Sequence, residues 1–136
     1  MRESTVDRAM AAAQTINALS RVFGEMQAQK LVYYAQAWSL VWDGRPLFSN
    51  RIEAWQMGPV VPSLRHALHV IQQAPPAGVF TASEEATLDA VTGYYGAMGG
   101  SALGELTHRE GPWREVWGDR PRDAQCSDPI PLDAMR

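Results

Sequence analysis

The segment MQAQKLVYYAQAWSLVW (Met26–Trp42) carries apolar side chains over well over half of the circumference of a helix that turns about 100° per residue. A helix this apolar has to be surrounded by the rest of the fold. Its polar arc is narrow, made of Gln29, Gln36, Ser39 and Asp43. Lys30, the only lysine of the chain, projects from the apolar side between Ala37 and Val41. The chain has 136 residues, and a chain of this size buries roughly two-thirds of its unfolded surface around one core. The expectation is a mainly α, compact helical domain around a central apolar helix, with one domain over 1–136.

The other segments supply the layers. Val6, Ala9, Met10, Ala13 and Ile16 recur at helical spacing, with Ser4 or Thr5 as N-cap and Gly24 as terminator. DGRPLFSNRIEAW follows the central helix, and its turn residues Asp43-Gly44 and Ser49-Asn50 predict a small β-hairpin around Leu47, Phe48, Ile52 and Trp55. Next comes EAWQMGPVVP (Glu53–Pro62), too broken for a helix and stiffened by two prolines. Pro62 opens a helix that buries Leu64, Ala67, Leu68 and Ile71 and turns Arg65, His66, His69, Gln72 and Gln73 outward. After the APPAG loop, Ser83-Glu84-Glu85 starts a helix with the core stripe Leu88, Val91, Tyr94, Tyr95 and Met98. Gly99-Gly100 breaks the chain, Ser101 caps a short helix through Leu103, Leu106 and Thr107, and Pro112 starts another after a stop at Gly111. The core is expected over about 5–117, followed by an irregular tail, 118–136, with a final turn capped by Asp128 and entered at Pro129.

Composition excludes several functions. With 46% hydrophobic and 20% charged residues, the chain is neither disordered nor highly charged. Its net charge is −3 and its arginines are scattered from Arg2 to Arg136, which argues against nucleic-acid partners, since phosphate binding needs clustered positive charge. No apolar run approaches the ~20 residues of a membrane span, and the N-terminus lacks the apolar stretch of a signal peptide. A cytoplasmic protein without membrane contact is expected, and the single cysteine, Cys126, agrees with a reducing compartment.

Candidates for chemistry are few. His66 and His69 have helical metal-ligand spacing but stand beside Arg65 without a third ligand. Cys126 lies in the polar stretch RDAQCSDP, and Glu84-Glu85 is explained by the helix dipole. No phosphate cradle or nucleophile motif is present. No catalytic residue, metal or cofactor is therefore assigned. Lys30 either reaches solvent along its stem or meets a carboxylate, for which Glu53 is the candidate. Among the aromatics, Trp55 and Trp113 lie nearest irregular backbone, and with Met57 they are the candidate partner contacts.

Four stretches in order, AQKLVYYAQAW, GRPLF, EAWQMGPVVPSL and LTHREGPW, resemble the Panacea domain of SocA-like antitoxins and phage-associated GepA-like proteins. The resemblance runs from about residue 5 to residue 117. It implies a mostly helical domain with a small β element that neutralises a cognate protein toxin by direct binding, in a family whose toxins are of many unrelated kinds. The family positions fall on Lys30, Tyr34, Glu53, Trp55, Gly58, Pro59, Val60, His108, Pro112 and Trp113, which are expected to form the scaffold. Family members often continue into a further helix, whereas this sequence stops at Arg136. Two other readings stand beside the antitoxin: an adaptor that delivers a partner to an ATP-dependent protease, and a small hydrolase or metal enzyme using His108 with Glu110 or Cys126. Acidic charge and the lack of a helix-turn-helix signature argue against operator binding.

Overall fold

The computed structural model describes residues 7–121 and 126–135. Among the described residues six helices and one short hairpin follow in order: α1 (Arg8–Leu19), α2 (Glu25–Asp43), β1 (Glu53–Trp55), β2 (Gly58–Val60), α3 (Leu68–Ile71), α4 (Ala82–Tyr95), α5 (Gly100–His108) and α6 (Gly111–Trp117). Single 3-10 turns occupy Pro62–Leu64 and Leu132–Met135. The mainly helical architecture with a small antiparallel sheet is the one read from the sequence.

α2 is central, packing against α1, α4, α5 and β2. It buries Leu31, Val32, Tyr33, Tyr34, Ala35 and Leu40, and it ends where Gly44, at φ +69°, donates its N–H back to the Leu40 carbonyl. A left-handed residue at that position is what glycine supplies without steric cost.

Gln29, Gln36 and Ser39 of the polar arc of α2 are buried as well, and Asp43 is half-buried. Gln36 Oε1 accepts from the N–H groups of Leu47 (2.7 Å) and Phe48 (3.2 Å), while its Nε2 donates to the Phe48 carbonyl (2.9 Å). Ser39 donates to the Arg45 carbonyl at 2.8 Å. Gln29 does the same for Val61, accepting from its N–H and donating to its C=O. These side chains give the connecting backbone the hydrogen bonds a neighbouring strand would otherwise supply, which satisfies it in the interior.

That arrangement moves the hairpin. The hairpin expected around Leu47, Phe48, Ile52 and Trp55 does not form there: 47–52 is a loop, and the strands are EAW and GPV, paired Glu53 to Val60, Ala54 to Pro59 and Trp55 to Gly58. The sheet is extended from the far side by the tail: Glu53 bridges Pro129, Ala54 donates to the Asp128 carbonyl and Ile130 donates to the Ile52 carbonyl. Pro129 therefore lies in an extended segment rather than in a helical turn, and Ile130 and Met135 join the core.

Element ends differ from expectation where side chains intervene. Asp7 caps α1 by accepting from Met10 N–H; Ser4, Thr5 and Val6 lie outside the described residues. α1 stops at Leu19 because Asn17 captures the Val22 N–H, and Gly24 is the N-cap of α2 rather than the end of α1. The helix expected after Pro62 is broken at His66, whose φ is +59°; Leu64 and Ile71 are buried, and Ala67 and Leu68 are half-buried. α4 begins one residue earlier than Ser83, at Ala82, with a capping box between Thr81 and Glu84. On its core side Leu88, Val91 and Tyr95 are buried as expected, but Tyr94 is 79% exposed and Thr92 lies inside in its place. Gly99, not Ser101, is the N-cap of α5. No helix among the described residues is long and apolar enough to cross a membrane.

Candidate functional site: a braced hairpin and an aromatic face

The hairpin is held from three sides. Lys30 reaches up from α2, 1% exposed, and donates from Nζ to the Pro59 carbonyl at 3.0 Å. Burial pulls its ammonium down to about 8, against an opposing attraction from Glu25. Neither reading of Lys30 holds: it does not reach solvent and does not pair with the candidate Glu53. Lys30 arrives beneath β2, beside Gly58, whereas the buried Glu53 carboxylate faces Arg51 and accepts from Trp55 Nε1 at 2.8 Å.

α5 and α6 also grip the turn. His108 Nε2 donates to the Gln56 carbonyl at 2.9 Å, and Trp113 Nε1 donates to the Trp55 carbonyl at 2.7 Å. The His108 and Trp113 rings lie 4.3 Å apart, and Trp113 stacks on Trp117 at 5.0 Å. The third contact is Arg65, whose guanidinium sits 4.8 Å above the Trp55 ring. Gly58 is wedged at the centre: its φ is +112°, and a Cβ there would stand 2.7 Å from Thr107 Oγ1 and 3.0 Å from Lys30 Cε.

Thus Lys30, Trp55, Gly58, Pro59, His108 and Trp113 meet at one turn, with Glu53 and Val60 buried in its strands. Tyr34 and Pro112 do not join them. Tyr34 stacks on Tyr95 at 4.1 Å and donates to Glu110 Oε1 at 2.8 Å. Burial, then the bond to Glu110, raises the Tyr34 phenol above its usual range; burial also raises the Glu110 carboxyl, with the Tyr34 bond opposing. Pro112 lines the same groove as Tyr34 and Glu110. Of the three candidate contacts, Met57 is exposed at the hairpin turn and Trp55 is half-buried. Trp113 is buried, with its indole N–H donated to the backbone of β1.

The chemical candidates stay apart. His108 has Nε2 on the Gln56 carbonyl and Nδ1 3.8 Å from Glu105 Oε1, while Glu110 accepts from Tyr34. Cys126 lies in a groove with Trp55, Gln56 and Ser127 that His108 does not line. His66 and His69 are exposed, and the described residues contain no cluster of three or more metal-ligating side chains.

A second surface escaped the sequence reading. Trp38 and Trp42, one turn apart on α2, stack at 4.9 Å, and Trp38 Nε1 donates to the Tyr95 hydroxyl at 3.0 Å. Tyr94 stands edge-on to Tyr95 at 4.7 Å. The i, i+4 tryptophans were the available signal, but the contribution of α4 depends on its packing.

Fold and site together define a small helical domain in which Lys30, Arg65, His108 and Trp113 hold one hairpin. The family model described as antitoxin SocA-like, Panacea domain, matches residues 28–114. The chain belongs to this family. No curated protein and no solved structure matches it.

Proposed function

We propose that this chain is the antitoxin of a toxin–antitoxin pair and neutralises a cognate protein toxin by direct, non-catalytic binding in the cytoplasm. The observation that carries this reading is membership of the SocA-like antitoxin family over residues 28–114. The use of the signature groups supports it. Lys30, Trp55, His108 and Trp113 spend their donors on hairpin backbone or on Glu53, which suits a frame better than a reaction centre. A preorganised frame loses little further freedom on binding, so more of the contact energy appears as affinity.

Co-expression with the product of the adjacent gene tests the reading. Growth is expected to recover, and the two chains are expected to copurify as a stoichiometric complex. Recovery without association contradicts neutralisation by binding, and a complex that leaves growth arrested contradicts neutralisation itself.

A further inference from the structure

We propose that the aromatic face of α2 and α4 is where the toxin docks, through a segment that presents apolar side chains together with an arginine or lysine directed to Glu110. This rests on the antitoxin reading and assigns its contact surface. The face is formed by Trp38, Val41 and Trp42 of α2 and Tyr94 of α4, with Glu110 at its edge.

Exposure comes first. Val41 is 50%, Trp42 53% and Tyr94 79% exposed, although each belongs to a helix whose other large apolar residues are mostly buried. Gathered apolar patches of this kind mark interaction surfaces, and Trp and Tyr are the residues most often found as their anchors. The floor beneath them is already ordered, since Tyr95 joins Tyr34 by stacking and Trp38 by a hydrogen bond.

Charge selects the occupant. Among the described residues, no lysine or arginine lines either groove of this face, and Glu110 lines one of them. α4 adds exposed Glu85 and Asp89 and contains no base, and α2 ends at Asp43. An incoming cation therefore meets Glu110 in a groove that no base lines. Beside Glu110 it would pair with a carboxylate that burial has deprived of water, and the neighbouring indole faces suit a guanidinium. The hairpin turn offers the reverse: Met57 is exposed there, but Arg51 and Arg65 stand beside it. A second copy of the chain fits poorly. A two-fold contact sets a patch against itself, so the acids of this face would oppose one another.

The test titrates the purified toxin, the one whose arrest the full chain relieves, into folded variants of the full chain. Trp42→Ser/Tyr94→Ser is expected to weaken binding at least about 30-fold, and Glu110→Gln about tenfold with a shallower salt dependence. Met57→Ser is expected to stay within about threefold of the parent. Urea unfolding of each variant confirms that the face, not the fold, has changed. Parental affinity in Trp42→Ser/Tyr94→Ser, or a loss confined to Met57→Ser, overturns the assignment. So does a free chain that sediments as a dimer and is dispersed by Trp42→Ser, which gives the face to a second copy. A parent chain that binds no toxin overturns the antitoxin reading itself.

Discussion

Gly58 and Lys30 touch at the point where α2, α5 and the hairpin meet, and each is constrained by the other. At φ +112° with Thr107 Oγ1 2.7 Å from where a Cβ would stand, Gly58→Ala combines backbone strain with a clash. It is expected to cost at least about 2 kcal/mol in urea unfolding. Lys30 makes stability depend on pH with an uncommon sign. Its value is lowered from 10.5 to about 8, so between these pH values the unfolded chain holds the proton that the folded chain has released. Stability therefore rises with pH from about 8, by on the order of 3 kcal/mol at most. The rise is capped near pH 10, where the buried Tyr33 and Tyr34, raised in the folded protein, ionise more readily in the unfolded chain and stability falls. Urea midpoints measured from pH 7 to pH 10 are expected to climb in the parent and to stay flat over that interval in Lys30→Met.

At the scale of elements, the loop between α2 and the hairpin is organised by side chains. Gln36→Met removes three hydrogen bonds from Leu47 and Phe48 while keeping similar bulk. Leaving those backbone groups buried and unmatched is expected to cost about 2–3 kcal/mol. Amide exchange is expected to accelerate at 45–52 before it does in α1 or α4. The same physics explains what the sequence disclosed. α2 was legible because its pattern is local: one segment, one period, one buried role. The hairpin was legible as an element but not in its position, since Gln29 and Gln36 satisfy Val61 and Phe48 across 32 and 12 residues, beyond the reach of a turn signal. The starts of α1 and α4 lie where Asp7 and Thr81 catch a nearby N–H.

For the whole molecule, the segment after α6 completes the core. Ile130 and Met135 are buried, and the tail supplies hydrogen bonds at Ile52 and Ala54. Truncation after Asp119 is therefore expected to lose about 3–5 kcal/mol, read as a lower urea midpoint, rather than merely to shorten the chain. Of the site, Lys30, Trp55, His108 and Trp113 were named through a resemblance and Glu53 or solvent was offered as the partner of Lys30, but only packing showed that Lys30 serves the Pro59 carbonyl. The aromatic face was hidden for the same reason, because Tyr94 and Trp42 become neighbours only when α2 and α4 pack. The central claim is that the signature residues form a frame without catalytic work, and His108→Gln tests it most directly. Toxin titrated into the folded variant, with growth rescue scored in parallel, is expected to bind within about threefold of the parent and to be neutralised. A variant that binds equally well yet fails to neutralise would contradict the account, because His108 would then act on the toxin rather than hold the turn.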